Sequence, residues 1–322
     1  MLFSVIIPCH NAGRWIQKAL ESVEDQAHPA HEIIVIDDDS IDDSVARIKN
    51  CGVPVKLLQV SFQNAAAARN AGIEIATGDW IALLDADDVW YPNHLARAAE
   101  LLEATDDVAF MSNHDWIGLD GEIIPIPAGL RCKHFAPKVG LTIRDFFAHL
   151  NGSSHFGHST VLYRRDRLFE VGMFDISQKR RHDIDLWLRV IAGPTWAYDT
   201  VKSAGYREGV PGSISKDELD CDYYYLRALM KNLPLVDFPE AKQCVAIQSR
   251  RAMGIAFVDG AAEHYDRIRE MAWPHLPVTL KFAYACGSAC PSLLRKVIEA
   301  KRCFQRRLSA LRTGSEPDAM AN

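Results

Sequence analysis

The residues best suited to chemistry are Asp85, Asp87 and Asp88, which fall within four positions at the end of the apolar run Trp80-Ile81-Ala82-Leu83-Leu84. Such a run is buried as a strand, and burying unpaired carboxylates beside it would be very costly. The acids are therefore expected at the strand's exposed end, where a positive group can meet them. Oxygen ligands at short spacing suit a hard divalent ion, Mg²⁺ or Mn²⁺, that keeps coordination positions open for phosphate oxygens. The structural alternative is an acidic turn that only closes a strand.

A second β-branched run, Glu32–Ile36, also ends in acids: Asp37, Asp38 and Asp39, followed by Ser40. At such a strand end an Asp commonly accepts from a ribose hydroxyl or a base N–H, whereas Asp39 or Ser40 can cap the following helix. The pattern assigns Asp38 to a nucleotide and Ser40 or Asp42 to the backbone. A third candidate is Asp183, at the start of a helix whose Leu186, Trp187, Val190 and Ile191 form one apolar face. The helix dipole and free N–H groups keep a carboxylate ionised there, as a general base requires; an N-cap is the alternative. Asn151–Ser159 is rich in Gly and Ser and holds His155 and His158. It suits sugar hydroxyls or a plain connector, and two loop histidines are a weak metal signal. Neither Gly-x-Gly-x-x-Gly nor Gly-x-x-x-x-Gly-Lys is present, so ordinary dinucleotide and P-loop chemistry lack their fingerprint.

These groups need a scaffold that brings strand ends together. Strand-like runs at Ser4–Pro8, Glu32–Ile36, Val55–Val60 and Trp80–Leu84 alternate with helical patterns at Arg14–Asp25, Asp42–Asn50 and Ala65–Ala76. That alternation predicts βαβ units and a mostly parallel sheet, with Pro8–Gly13, Asp37–Asp42 and Asp85–Asp88 on one rim. Further on, Val108–Met111 and Thr160–Tyr163 read as strands, Asp120-Gly121 as a hairpin turn before Ile123–Ile126, and Leu141–Asn151 and Ser215–Asn232 as helices. The chain has 322 residues, 48% of them hydrophobic, which is enough for a proper core. Its net charge of −6 gives no argument for nucleic acid. The eight cysteines form no Cys-x-x-Cys pair and read as reduced thiols. The first residues lack the basic flank and length of a signal peptide, and no apolar run reaches the roughly 18 residues of a spanning helix. A cytoplasmic protein, at most peripheral to a membrane, is expected.

Several segments taken together resemble the family 2 glycosyltransferases of GT-A fold. Ser4-Val5-Ile6-Ile7-Pro8-Cys9-His10-Asn11 resembles that family's opening strand, and Glu32–Asp42 its acidic strand end. Asn64–Asn70 followed by Gly78–Asp88 resembles its Asn…Ala-Arg-Asn…Gly-Asp…Leu-Asp-Ala-Asp-Asp run. The resemblance implies an α/β fold, a Rossmann-like sheet with helices on both faces and a helical C-terminal extension. It divides the chain into a nucleotide-sugar half (1–105), an acceptor half (106–212) and a helical region with a disordered tail (213–322). It implies that Pro8, His10 and Asn11 line the base pocket, that Asp38 accepts from the base, and that Arg69 lies near the base or diphosphate. Asp85 and Asp87 would serve the nucleotide, with Asp87 and Asp88 on Mn²⁺ or Mg²⁺, and Asp183 would be the base. His182 and His155 are expected at the sugar or acceptor. Three positions depart from the family: Asp39 stands where Gly is usual, Ile41 where Thr is usual, and His182 where Glu is usual. Asp tolerates the left-handed backbone that such a Gly marks.

The reaction implied is an inverting, single-sugar transfer from a nucleotide-sugar, UDP-sugar first, to a glycan or lipid-linked acceptor. Beyond about residue 210 the resemblance fades. Gln248-Ser249-Arg250-Arg251-Ala252 lacks the Trp of processive members. Pro291–Arg312 carries seven basic residues against one acid, with an apolar stripe at helical spacing, a pattern that suits either an anionic bilayer or a packed surface helix. Two rival functions remain at this stage. A haloacid dehalogenase-like phosphohydrolase also has an Asp-x-Asp after a strand, but early in its domain. A nucleotide-sugar-binding protein without catalysis would keep the donor carboxylates alone.

Overall fold

The computed structural model describes residues 1–125, 138–150, 157–211, 218–259 and 262–289. The first half alternates as the hydrophobic runs require. Strand β1 (Phe3–Cys9) is followed by α1 (Ile16–Glu24), β2 (Glu32–Asp38), α2 (Ser44–Asn50), β3 (Lys56–Val60), α3 (Ala65–Ile75) and β4 (Trp80–Leu83). Next come β5 (Val89–Trp90), α4 (His94–Leu102), β6 (Ala109–Ile117), β7 (Ile123–Ile124), β8 (Lys138–Leu141) and α5 (Ile143–Leu150). A one-turn 3₁₀ helix, His158–Thr160, leads into β9 (Val161–Arg164), α6 (Arg165–Glu170), α7 (His182–Val190) and β10 (Trp196–Arg207). Helices α8 (Glu218–Asn232), α9 (Pro239–Asp259), α10 (Ala262–Ala272) and α11 (Val278–Ala289) complete the described chain.

All ten strands share one sheet in the order β3-β2-β1-β4-β9-β6-β10-β5, with β7 beside β6 and β8 beside β10. The expected parallel arrangement holds from β3 through β4. Beyond β4 the sheet is mixed rather than mostly parallel, because β9 enters antiparallel between β4 and β6. Local patterning could not reveal this, since a short apolar strand reads the same in either direction.

Alternation along the strands splits the core into two layers. Ile6, Ile34, Ile36, Ile81 and Leu83 face α3 and the later helices, whereas Val5, Ile7, Ile33, Val35, Ala82 and Leu84 face α1 and α4. Each buried aliphatic side chain contributes about 1.5–3 kcal/mol, so this period of two fixes the register firmly. Gly72 lets α3 approach the sheet closely: a Cβ there would lie 2.6 Å from Ile36 Cδ1 and 2.8 Å from Ile6 Cγ2. That approach places Arg69, one turn earlier, over the end of β4.

Helix α7 is clamped from the C-terminal side. Asp185 is fully buried and receives Arg189 at 2.9 Å, Lys231 at 3.1 Å and the Asn232 amide at 3.0 Å. The element carrying Asp183 is thus held by α8 as well as by its own apolar face.

Candidate active site

The parallel order of β2, β1 and β4 puts their carboxyl ends side by side, as expected. At the first two ends the loops are laced together. His10 Nδ1 donates to the Asp38 carbonyl at 2.6 Å, Asn11 N to Ser40 Oγ at 2.9 Å, and Ile41 N to Asn11 Oδ1 at 2.9 Å. Asp42 accepts from Gly13 N at 3.0 Å and from Ser44 N at 3.0 Å, so Ser40 and Asp42 do serve the backbone. Asn11 and Asp39 are exposed and left-handed, at φ 51° and 63°; Asp39 therefore takes the backbone state anticipated for it. Pro8 is half-buried within β1, paired with Ile36.

Asp38, expected to accept from the base, meets donors of the protein itself. It is buried, and its carboxylate accepts from the main-chain N–H groups of Phe62, Gln63 and Asn64 at 2.6, 2.8 and 2.8 Å. Those bonds make Asp38 the anchor of the loop after β3. A carboxylate at a strand end was legible in the sequence; the segment that would consume it was not.

At the end of β4 the three acids separate into different roles. Arg69 is 5% exposed and pairs with Asp85 at 2.5 Å. Burial opposes ionisation of Asp85, but the Arg69 guanidinium overrides it and holds the carboxyl below the usual carboxylate range. Asp87 is half-buried. Burial, then the neighbouring Asp85, push its pKa up to about 6. A half-buried carboxylate crowded by another gains from a cation at that point, so Asp87 with Asp85 beside it fits a hard divalent ion. Among the described residues, no three His, Cys, Asp or Glu side chains are gathered to hold an ion unaided.

Asp88 was expected on the metal; here its carboxylate meets protein donors. It is 1% exposed, Oδ1 accepts from Arg207 N at 2.7 Å, and Oδ2 accepts from Ser159 Oγ at 2.5 Å. Arg207 also donates from its guanidinium to the carbonyls of Asp87 at 2.6 Å and Gly118 at 2.7 Å. Ser159 accepts from Asp85 N at 3.0 Å, and its carbonyl accepts from Trp90 Nε1 at 2.6 Å. Asp88 is therefore the keystone of the loop that carries Asp85 and Asp87. Replacing Asp88 with Ala leaves a buried N–H and a buried hydroxyl without their acceptor, and is expected to cost about 2–4 kcal/mol. Urea unfolding of the variant checks this. Arg207 and Ser159 escaped the sequence reading; the signal for Arg207 would have been the unread strand run that begins at Trp196.

The base candidate lies across the cleft. Helix α7 begins at His182 after Arg181, which is left-handed at φ 53°, so Asp183 is not the N-cap. Its Oδ1 accepts from Ile184 N at 2.9 Å, and its side chain keeps 17% exposure. Burial opposes its ionisation, but His158 and Arg181 outweigh burial and hold it well below the usual carboxylate range. His182, expected at the sugar, is buried and accepts at Nε2 from Arg69 Nη1 at 2.9 Å. Burial, then the Arg69 charge, push its pKa down to about 3, so it is neutral in ordinary buffers. Arg69 thus touches both the donor-side carboxylate Asp85 and the residue next to Asp183. His155 lies outside the described residues, as does the basic segment 291–312.

Three comparisons bear on this geometry. A family model, Glycosyl transferase family 2, matches residues 4–168, just over half of the chain. The amylovoran biosynthesis glycosyltransferase AmsB of Erwinia amylovora is 36% identical over 107 residues, which are 31% of this chain and 36% of AmsB. The matched segments span 34–38% of the length of this and two other curated relatives. Among solved structures, S. aureus TarS 1-349 in complex with UDP-GlcNAc matches with TM-score 0.65 at 17% identity, over 99% of this chain and 93% of that one. The mannosyltransferase PcManGT of Pyrobaculum calidifontis, in complex with GDP-Man and Mn²⁺, matches with TM-score 0.55 at 17% identity, over 92% and 83%. At such identity these likenesses speak for the fold, which is that of the GT-A glycosyltransferases.

Proposed function

Because this chain belongs to glycosyl transferase family 2, we propose that it moves one sugar from a nucleotide-sugar donor, UDP-sugar first, to an acceptor hydroxyl. The phosphohydrolase alternative loses its basis with that membership. The observation that carries the proposal is the link made by Arg69, which joins the donor-side carboxylate Asp85 to His182, the neighbour of Asp183. In this reading the link supports two chemistries that a glycosyl transfer needs at once, a seat for a diphosphate and a base.

In this reading the nucleotide base lies against the His10, Asn11 and Asp39 rim, and Asp85 and Asp87 face the ribose and diphosphate. A Mn²⁺ or Mg²⁺ ion held by Asp87, with Asp85 beside it, would offset the charge that builds on the departing diphosphate. Asp183 takes the proton of the acceptor hydroxyl. The oxygen then attacks the anomeric carbon from the face opposite the diphosphate, the new C–O bond forms as the bond to phosphate breaks, and configuration inverts. Holding donor, acceptor and base in one orientation supplies much of the rate. The acceptor is a glycan or a lipid-linked saccharide of a surface polysaccharide, and the basic segment 291–312 would bring the chain to an anionic membrane. Among the described residues no helix is long and apolar enough to cross a membrane.

Calorimetry with UDP-, GDP- and dTDP-sugars, with and without Mn²⁺, tests the proposal. One nucleotide is expected to bind in a metal-dependent way. Failure of all of them in the presence of metal would overturn the transferase reading, and binding without any turnover would favour a protein that has kept the donor site and lost catalysis.

A further inference from the structure

The turn His158–Thr160 sends two adjacent side chains to opposite ends of the chemistry. Ser159 grips the donor loop, accepting from Asp85 N at 3.0 Å and donating to Asp88 at 2.5 Å. His158 turns to α7, where its Nδ1 lies 3.9 Å from Asp183 Oδ2. The turn itself is tied, with Thr160 N and Oγ1 donating to the Gly157 carbonyl at 3.0 and 2.8 Å. We infer that His158 is a positioning residue for the base: it orients the Asp183 carboxylate and fixes it to the same turn that holds the donor loop. This rests on the proposal that Asp183 takes the acceptor proton.

His158 is 6% exposed, and its ring packs against Phe174 and His182, each with ring centroids 5.6 Å away. Its Nε2 is buried and has no hydrogen-bond partner among the described residues. Nδ1 is the ring nitrogen on the Asp183 side, 3.9 Å from Oδ2, so hydrogen on Nδ1 faces the carboxylate. The two carboxylate oxygens then have separate duties, Oδ1 on Ile184 N and Oδ2 toward His158. Asp183 retains exposure that His158 lacks, so an acceptor hydroxyl meets the carboxylate while the imidazole stays behind it.

Among the described residues, the charged and titratable groups around Asp183 are His158 from the turn, Arg181 just before α7, His182 on α7, Tyr163 on β9 and Tyr225 on α8. Arg181 and His158 favour the ionised carboxylate, whereas burial favours the neutral one. Taking away His158 therefore raises the proton affinity of Asp183, and the acid limb of the pH–rate profile moves to higher pH.

The test uses the full chain with Mn²⁺ and the nucleotide-sugar that binds best in the calorimetric panel, with water as the acceptor and sugar release as the rate. His158→Leu is expected to lower kcat ten- to a hundredfold, with KM for the donor within about twofold and the acid limb about one pH unit higher. His158→Asn, whose amide can place a donor near the position of Nδ1, is expected to recover most of both changes. In an Asp183→Asn background, His158→Leu should have no further effect. Nucleotide affinity and thermal melting of each variant establish that the fold is intact, and His158→Phe, which keeps a ring against Phe174 and His182 but has no donor, carries the test with the same expected losses if the Leu variant does not fold. The inference is overturned if Asp183→Asn stops turnover while both His158 variants keep the wild-type rate and acid limb. It is overturned as well if His158→Leu costs as much in the Asp183→Asn background as in wild type. Full activity in Asp183→Asn, or a wild-type chain that binds no nucleotide-sugar, would instead strike the underlying reading.

Discussion

Asp183→Asn is expected to stop turnover and to leave donor binding unchanged. The amide keeps the volume of the carboxylate and can still accept from Ile184 N, so α7 begins as before. What it loses is the ability to take a proton. General-base catalysis contributes roughly 10²–10⁴ in rate, and kcat should fall by that range while KM for the donor stays within about twofold. In the proposed reading the donor lies against other residues, Asp85 and Asp87 on the rim of β4, whose side chains make no direct bond to the Asp183 carboxylate among the described contacts. Measuring kcat and calorimetric donor affinity on the same preparation separates the outcomes. A loss of donor affinity equal to the loss of rate would mean that Asp183 shapes the donor site, and the base assignment would fall.

The second large effect is expected at Asp87. Burial, then Asp85, push its pKa up to about 6, and it is half-buried where Asp88 is 1% exposed, so it is the carboxylate of the two that a divalent ion can both reach and relieve. Asp87→Ala should abolish metal-dependent donor binding, a loss on the order of a hundredfold or more in affinity with Mn²⁺ present. Without metal the affinities of variant and wild type should converge. Stability should hardly fall, because the carboxylate is not a strut of the loop; the Asp87 carbonyl, which any residue supplies, is what Arg207 binds. Asp88→Ala should instead lower stability, because it unties the loop that carries Asp85 and Asp87. Two acids side by side in the sequence are thus told apart by their effect on stability. If Asp87→Ala destabilised the fold and kept metal-dependent binding, the division of roles drawn from burial would be wrong.

Much of this was legible before any tertiary structure. The four leading strands and three helices follow from hydrophobic period alone, because a strand buried on both faces must read as a continuous apolar run and its helices must carry an apolar stripe. Parallel strands joined by helices then force the loops after β1, β2 and β4 onto one rim, so the neighbourhood of His10, Asn11, Asp38 and Asp85 was determined locally. The left-handed state of Asp39 was legible too, from the Gly that the family it resembles usually has at that position. Asp183 could be placed near the start of a helix by the stripe that follows it.

The duties of these groups depend on partners that no local pattern contains. Asp38 is consumed by the backbone of residues 62–64, about two dozen positions on. Asp88 is claimed by Arg207, 119 positions away, on a strand whose place in the sheet is set by antiparallel insertion of β9. His182 stands beside Asp183 in sequence but bonds Arg69 from α3, whereas His158 reaches Asp183 only because its turn leads into β9. Burial and charge at one atom are sums over everything packed around it, so the sequence determined which carboxylates gather at the rim. Tertiary packing alone decided which of them are spent on holding the site and which are left to act.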